Sequence, residues 1–587
     1  MAAGVTSGRR GRAAYLHPMD WPRLTPDALR EHTIGADAVV PTPFGPRPLV
    51  YADYTASGRQ LDFVEDYLRD LARLYANAHT DDSLTGRTAT RLLHDAEKAI
   101  KSAVNAGPGG KVVCVGTGST GAIHKLQEIL GVAIPPATLD ALGDRLAAAL
   151  GDDGADRLAG DLRSQGPVVF VGPYEHHSNE VTWREGLCTV VEVALTDRGQ
   201  ICLDDLDRQL GDDRWEGRRR IGSFSAGSNV TGVLAPVHDL ARVLHRHGAL
   251  ALFDYAAAGP YVEIDMCPAG DPEGRLDAVF LSPHKFLGGP GACGLLVFDE
   301  SLYPHDLAPS VGGGGTVSYV NETTHDYVAD IEARETAGTP GLFQTLRAAL
   351  ALDVKRAVGV EAIRQREHQH LARALARWSG HERIDILGPD DDEGRLGIVS
   401  FNLRDGWDGV IHPRLVTVLL DDLFGIQSRA GCSCAGPYGH RLLGIGPAQS
   451  DRYRSCVRDG LHGLKPGWAR VGFHYTHSDA EAAYLIEAVA FVADHGARFL
   501  PLYRFDVESG SWTHRDGRPD PPPYGLAAAL AGESVAAGVA TGPDRAARFD
   551  DALREAHRLA GMLELPSPRP ALAGDYADLA FFAVADP

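Results

Sequence analysis

Cysteine is scarce in this chain. Eight residues among 587 show no close, even spacing of the kind that marks a disulfide scaffold. Cys114, Cys202 and Cys293 stand inside apolar runs and read as small buried hydrophobes. Such usage fits a reducing cytoplasm. Only Cys432 and Cys434 lie close together, and a metal site there lacks a second pair at metal-ligand spacing, so no metal is expected. No apolar run reaches about 18 residues, so no transmembrane helix and no membrane partner are expected. The arginines between Met1 and Arg12 are not followed by an apolar stretch, and a secretory signal is not expected. Positive charge is also short. With 57 Lys+Arg against 78 Asp+Glu the formal net charge is −21, which argues against nucleic acid as the main partner.

What is present is a chain too long for one compact core and rich in glycine, with 67. Apolar β-rich runs at Lys111–Val115, Val168–Val171, Cys188–Val193, Arg220–Ser223, Ala249–Phe253, Ala278–Leu281 and Gly294–Phe298 alternate with helical stretches. That rhythm predicts an α/β fold with a mainly parallel, seven-stranded sheet flanked by helices. Helical spacing covers Phe63–Tyr75, about Thr88–Val104 and roughly Pro340–Val358. Strands at Gly397–Leu403 and Trp468–Phe473 with a helix at Ala480–Val492 predict a smaller α+β C-terminal domain. The expected division is an irregular segment 1–48 packing with the small domain, a large domain 49–340, a small domain 341–505 and an extension 506–587. Residues 134–165 read as a helical insertion of one or two surface helices. Gly312–Gly315 reads as a loop, Asp516–Tyr524 as a Pro-rich linker and Asp544–Met562 as a helix.

The first chemical signal is Gly116-Thr117-Gly118-Ser119-Thr120-Gly121, after a strand and before a helix. Its glycines satisfy the dinucleotide-binding pattern, with Asp140 near the position of a ribose-binding acid, so an NAD(P)-binding oxidoreductase is an open alternative. Physically the segment offers an anion site, because backbone N–H groups and the helix dipole favour a phosphate there. Two later strands weigh against a nucleotide. One ends in Phe253-Asp254, the other in Ser282-Pro283-His284-Lys285. Catalytic groups in α/β sheets gather at carboxyl ends of strands. A carboxylate on one and an amine on the next suit pyridoxal 5′-phosphate: the amine bonds its aldehyde carbon and the acid pairs with its ring nitrogen.

From these residues onward the chain resembles the class V, fold-type I pyridoxal-phosphate enzymes, above all the cysteine desulfurase/selenocysteine lyase group, in order from about Tyr51 to Val492. Glu175-His176-His177-Ser178-Asn179 resembles that group's E-H-H-x-N segment, which makes His176 the residue stacked on the cofactor ring. Ser228-Asn229-Val230-Thr231-Gly232 resembles S-N-x-x-G, with Asn229 on the cofactor's phenolic oxygen. The resemblance makes Lys285 the lysine that carries the cofactor and Asp254 the ring-nitrogen partner. Gly118, Ser119, Thr120, Ser282 and His284 become further cofactor contacts. Ala337-Gly338-Thr339-Pro340 resembles a segment that reaches the phosphate from a second subunit, so Thr339 and a homodimer with shared active sites are implied.

Arg429-Ala430-Gly431-Cys432-Ser433-Cys434-Ala435-Gly436-Pro437 resembles the desulfurase loop R-x-G-x-x-C-x-x-P. Cys434 falls at the sulfur-accepting nucleophile, and an enzyme thiolate there needs positive potential and access. Cys432 reads either as a redox partner of Cys434 or as a second sulfur carrier. Arg470 is the implied ligand of a substrate carboxylate, a role suited to a guanidinium, with Ala56 and Ser57 beside the substrate. Two departures stand out: Gly472 replaces a common serine, and Ala257 falls where many members have glutamine. The expected activity is cleavage of the C–S bond of cysteine or a related amino acid, with a sulfur-acceptor protein as a possible partner. β-Elimination, epimerisation and transamination share the scaffold and stay open.

Overall fold

The computed structural model describes residues 24–586 apart from 79, 520–523, 533–537 and 540–541. The expectations for Met1–Arg12 and for residues 520–523 of the Pro-rich linker lie outside the described residues.

Seven strands form the principal sheet: β1 (Gly110–Val115), β2 (Val168–Val171), β3 (Thr189–Glu192), β4 (Arg220–Ser225), β5 (Leu250–Asp254), β6 (Ala278–Leu281) and β7 (Gly294–Asp299). Their order is β1-β7-β6-β5-β4-β2-β3. The run from β6 to β3 is parallel throughout, and β7 lies antiparallel to both β6 and the edge strand β1. Apolar side chains leave both faces. Val112, Phe170, Phe253, Val279 and Leu295 enter one core, whereas Val113, Val169, Leu252, Phe280 and Leu296 enter another. A sheet covered on both sides needs such continuous apolar strands. Helices α1 (Leu84–Ala103) and α5 (Leu342–Val358) pack together in the first core, and α2 (Gly118–Ile129) fills the second.

The insertion forms two helices, α3 (Pro136–Leu150) and α4 (Asp152–Gln165), broken where Gly151 takes φ +75°. They pair with each other and leave Leu142, Leu150, Leu158 and Leu162 exposed. After α5 and α6 (Val360–Trp378), a four-stranded antiparallel sheet follows: β8 (Ile384–Ile386), β9 (Ile398–Leu403), β10 (Arg429–Gly431) and β11 (Trp468–Gly472), ordered β8-β9-β11-β10. Its core joins Phe401 and Val471 to α7 (Pro413–Phe424) and α8 (Asp479–His495).

The C-terminal extension joins this second core. Phe549, Ala552, Ala556 and Ala560 of α9 (Gly542–Met562) are buried there at helical spacing, and Phe549 stacks on Tyr484 with centroids 4.3 Å apart. Several elements depart from the reading of the sequence, among them strands at Ala38–Val40 and Arg47–Pro48, a helix and a hairpin. The segment read as irregular holds a helix at Pro26–His32, capped by Thr25, and a hairpin (Val317–Val320 with His325–Tyr327) follows the glycine loop. Neither has enough apolar periodicity to announce itself.

Candidate active site

β5 and β6 are adjacent and parallel, so Asp254 and the Ser282–Lys285 segment emerge together at one end of the sheet. β1 delivers the glycine turn to the same end. Gly118 has φ +55°, and a Cβ there would sit 2.7 Å from Ser282 Oγ and 2.9 Å from His284 Cε1. Only glycine allows this approach. It brings the Ser119 N–H to Ser282 Oγ at 2.9 Å, and the Ser282 hydroxyl to Ser119 Oγ at 3.1 Å. Thr120 and Ser178 share a hydroxyl contact of 2.7 Å.

His176 is aimed by its own loop. The Ser178 N–H donates to His176 Nδ1 at 3.1 Å, which assigns the ring proton to Nε2. Beneath it the buried Glu175 accepts from Gly172 N, Asn179 Nδ2, Ser225 N and Ser225 Oγ at 2.7–3.1 Å, tying the ends of β2 and β4 together. Burial lifts Glu175 to about 7 against those donors.

These groups enclose a cavity of about 170 Å³, walled by Ser119, Thr120, His176, Asn229, Asp254, His284 and Lys285. Burial raises Asp254 above the usual carboxylate range, and the Ala256 N–H and Lys285 draw it partly back. Burial brings Lys285 down to about 8, opposed by Asp254. His176 is pushed down to about 4 by burial and by Lys285, so its ring is neutral at pH 7. The Lys285 amine has no hydrogen-bond partner among the described residues. The arrangement fits a phosphorylated pyridine aldehyde: Lys285 for the aldehyde, Asp254 for the ring nitrogen, His176 for the ring face, and the Gly118–Thr120 turn with Ser282 for the phosphate. A dinucleotide fits poorly. β1 is an edge strand running against its neighbour, and Asp140 is exposed on α3 of the insertion.

The Asp53–Gly58 turn meets the Lys285 segment from another side. Gly58 N donates to His284 O at 2.8 Å and Ser57 Oγ to the same oxygen at 3.3 Å, which sets Ala56 and Ser57 beside the Lys285 segment. Arg470, on β11, is nearly fully buried. Its Nη2 donates to Asp53 Oδ1 at 3.1 Å and its Nη1 to Asn229 O at 2.9 Å, while Arg429 Nε donates to Asp53 Oδ2 at 3.0 Å. Asp53 thus joins both arginines, a role the sequence reading did not assign to it. Ala257 lines the cavity where glutamine is common.

The cysteine loop lies at the rim. Asn229 Nδ2 donates to Ser433 O at 2.7 Å, His177 N donates to Cys434 O at 2.9 Å, and Gly436 N donates to His177 Nε2 at 3.0 Å. Ser433 and Cys434 both take left-handed backbone, with φ +50° and +55°. For residues with a Cβ this costs about 1–2 kcal/mol each, and such strain gathers at functional loops. Cys434 is exposed and outside the cavity lining, whereas Cys432 is half-buried. Thr339 is exposed and does not line the cavity of its own chain.

A family model, aminotransferase class-V, matches residues 157–482, more than half of the chain. The chain belongs to the class-V aminotransferase family. It is therefore a pyridoxal-phosphate-dependent enzyme of that kind, and the oxidoreductase alternative falls away. A protein of Halalkalibacterium halodurans described as a probable cysteine desulfurase is 26% identical over 435 residues, covering 73% of this chain and 95% of its own length. A probable cysteine desulfurase 2 of Mycobacterium leprae is 32% identical over 293 residues, 49% of this chain and 65% of that one. Among solved structures, the apo cysteine desulfurase of Thermococcus onnurineus superposes with a TM-score of 0.58 at 20% identity, covering 76% of this chain and 95% of its own. The cysteine desulfurase CsdA of Escherichia coli gives 0.58 at 19% identity, covering 80% and 99%. These last two likenesses speak for the fold.

Proposed function

We propose that the chain is a cysteine desulfurase-like lyase that cleaves the C–S bond of cysteine or a related amino acid and takes the sulfur onto Cys434. The observation that carries this reading is the strained Cys434 loop, pinned to Asn229 and His177 at the rim of the Lys285 cavity. The cofactor, when bound, supplies an electron sink for the substrate Cα. The chain's own residues do the rest. Asp254 keeps a negative partner where the ring nitrogen would lie. Lys285, with a value near 8, can hold or release a proton close to neutrality. Arg470 and Arg429, oriented by Asp53, give the substrate carboxylate a positive wall. The thiolate of Cys434 then attacks the substrate sulfur, so that an S–S bond forms as the C–S bond breaks; the electron pair of that bond stays with the carbon skeleton, which takes up the proton Cys434 gave up and leaves as alanine.

Residues 49–340 and 341–505 are taken as the two working domains. A soluble, cytoplasmic homodimer, with Thr339 of one copy serving the cavity of the other, completes the proposal. The test is the full-length protein loaded with pyridoxal 5′-phosphate and given L-cysteine. Alanine and a protein-bound persulfide should form, and Cys434→Ala should abolish both. Unchanged turnover in Cys434→Ala would point instead to β-elimination, epimerisation or transamination.

A further inference from the structure

Cys432 is the half of the cysteine pair that this reaction leaves unused. It does not line the Lys285 cavity. Its side chain lines a second cavity, of about 300 Å³, that shares no lining residue with the Lys285 cavity. The neighbouring histidines divide the same way: His176 walls the first cavity and His177 the second. The second cavity is floored by Trp468, fully buried, whose indole N–H has no partner among the described residues. Its rim carries Arg454, Arg458 and Lys465, none of which makes an ion pair among the described residues. The apolar floor and unneutralised basic rim suit a small thiol that bears a carboxylate.

We infer that Cys432 is a second sulfur carrier, which takes the outer sulfur from Cys434 and presents it to a small anionic thiol in this second cavity. The inference rests on the desulfurase reading above. In the step, the Cys432 thiolate attacks the outer sulfur of the Cys434 persulfide. An S–S bond forms on Cys432, the bond to Cys434 breaks, and Cys434 leaves as the thiolate, ready for the proton that Cys432 gave up. One sulfur atom moves and no net oxidation occurs. The acceptor thiolate repeats the attack on Cys432 and leaves as its own persulfide.

The test uses full-length holoenzyme and L-cysteine, with thioglycolate or the similarly sized but neutral 2-mercaptoethanol as acceptor. Cleavage after Arg429 and Arg441 yields one peptide holding both cysteines, whose alkylated persulfide can be located by fragmentation. The wild-type enzyme should carry persulfide on Cys432 as well as Cys434. Cys432→Ser should release about one alanine per site and then turn over about tenfold more slowly with thioglycolate. The wild-type enzyme should favour thioglycolate about fivefold, a preference lost in Arg454→Gln/Arg458→Gln. Persulfide confined to Cys434, with Cys432→Ser turning over at the wild-type rate, overturns the relay. So does a Cys432–Cys434 disulfide formed with release of hydrosulfide, which would make the pair a redox couple. Equal rates with both thiols overturn the anionic acceptor. Absence of alanine and persulfide from wild-type holoenzyme would instead strike the desulfurase reading, and the first-turnover alanine tells the two failures apart.

Discussion

Glu481 joins three parts of the chain that are far apart in sequence. It opens α8, where it completes a capping box with Ser478. Its carboxylate accepts from Arg30 at 2.8 and 3.0 Å, and from Arg545 of α9 at 3.0 and 3.2 Å. Burial opposes its ionisation, but Arg30, His477 and Arg545 overcome that and hold it near 2, against an ordinary value of 4.5. At about 1.4 kcal/mol per pH unit the gap is worth about 3 kcal/mol of stability. Because the folded value is depressed, the contribution is complete above pH 4.5 and is lost as pH falls towards 2. Glu481→Gln removes the charge and leaves the buried Arg545 without a counter-ion. Hydrogen exchange across residues 542–562 at pH 7 should then quicken about a hundredfold. The wild-type protein should lose protection there as pH drops below 4.5, and the variant should not share that loss. Wild-type protection of α9 in Glu481→Gln would refute the assignment of this energy to the carboxylate.

Other perturbations read the site itself. Lys285 must be neutral to add to an aldehyde, so apo-protein should take up added pyridoxal 5′-phosphate faster as pH rises, levelling off above about 8; a flat absorbance-monitored pH profile would contradict the burial argument. Asp53→Asn leaves two guanidinium groups without their shared anion, one of them buried, and should cost about 3–5 kcal/mol in denaturant unfolding together with a raised KM for the amino acid. Gly118→Ala drives a methyl group to 2.7 Å from Ser282 Oγ in left-handed backbone, and should weaken cofactor retention in dialysis while leaving far-UV circular dichroism unchanged.

How much of this was legible in the sequence follows from how local each feature is. The strands of the large sheet announce themselves because both faces are buried, which forces unbroken apolar runs such as Val168–Val171 and Ala278–Leu281. The Glu175–Asn179 segment and the strand ends at Asp254 and Lys285 are continuous motifs, so His176, Asp254 and Lys285 could be named from the sequence. What escaped were contacts between residues hundreds of positions apart. Asp53 meets Arg429 and Arg470 across separations of 376 and 417 residues, and no spacing rule reaches that far. Glu175 stood inside a recognised segment, yet its role depends on Ser225 at the end of another strand. The helix at Pro26–His32 is too short for its pattern to outweigh the surrounding prolines.

The extension shows what such long-range contacts do for the chemistry. Residues 506–587 carry no motif, and α9 lies in the second core rather than over the cavity. Yet Arg545 Nη2 also donates to Leu49 O at 2.6 Å, and His477 bonds Tyr51 O at 2.9 Å. Ala52 O receives Gly472 N at 2.8 Å. The strand at Val50–Tyr51 that leads to Asp53 pairs with Ile426–Gln427 and is held besides by α9, by the turn before α8, and by β11, which also bears Arg470. Asp53 can orient both arginines only if its own backbone is fixed, because a displacement of about 1 Å would break a 3.0 Å charge pair at this geometry. Among the described residues, the C-terminal segment thus acts on Asp53 and its two arginines through packing, and none of its residues lines the Lys285 cavity.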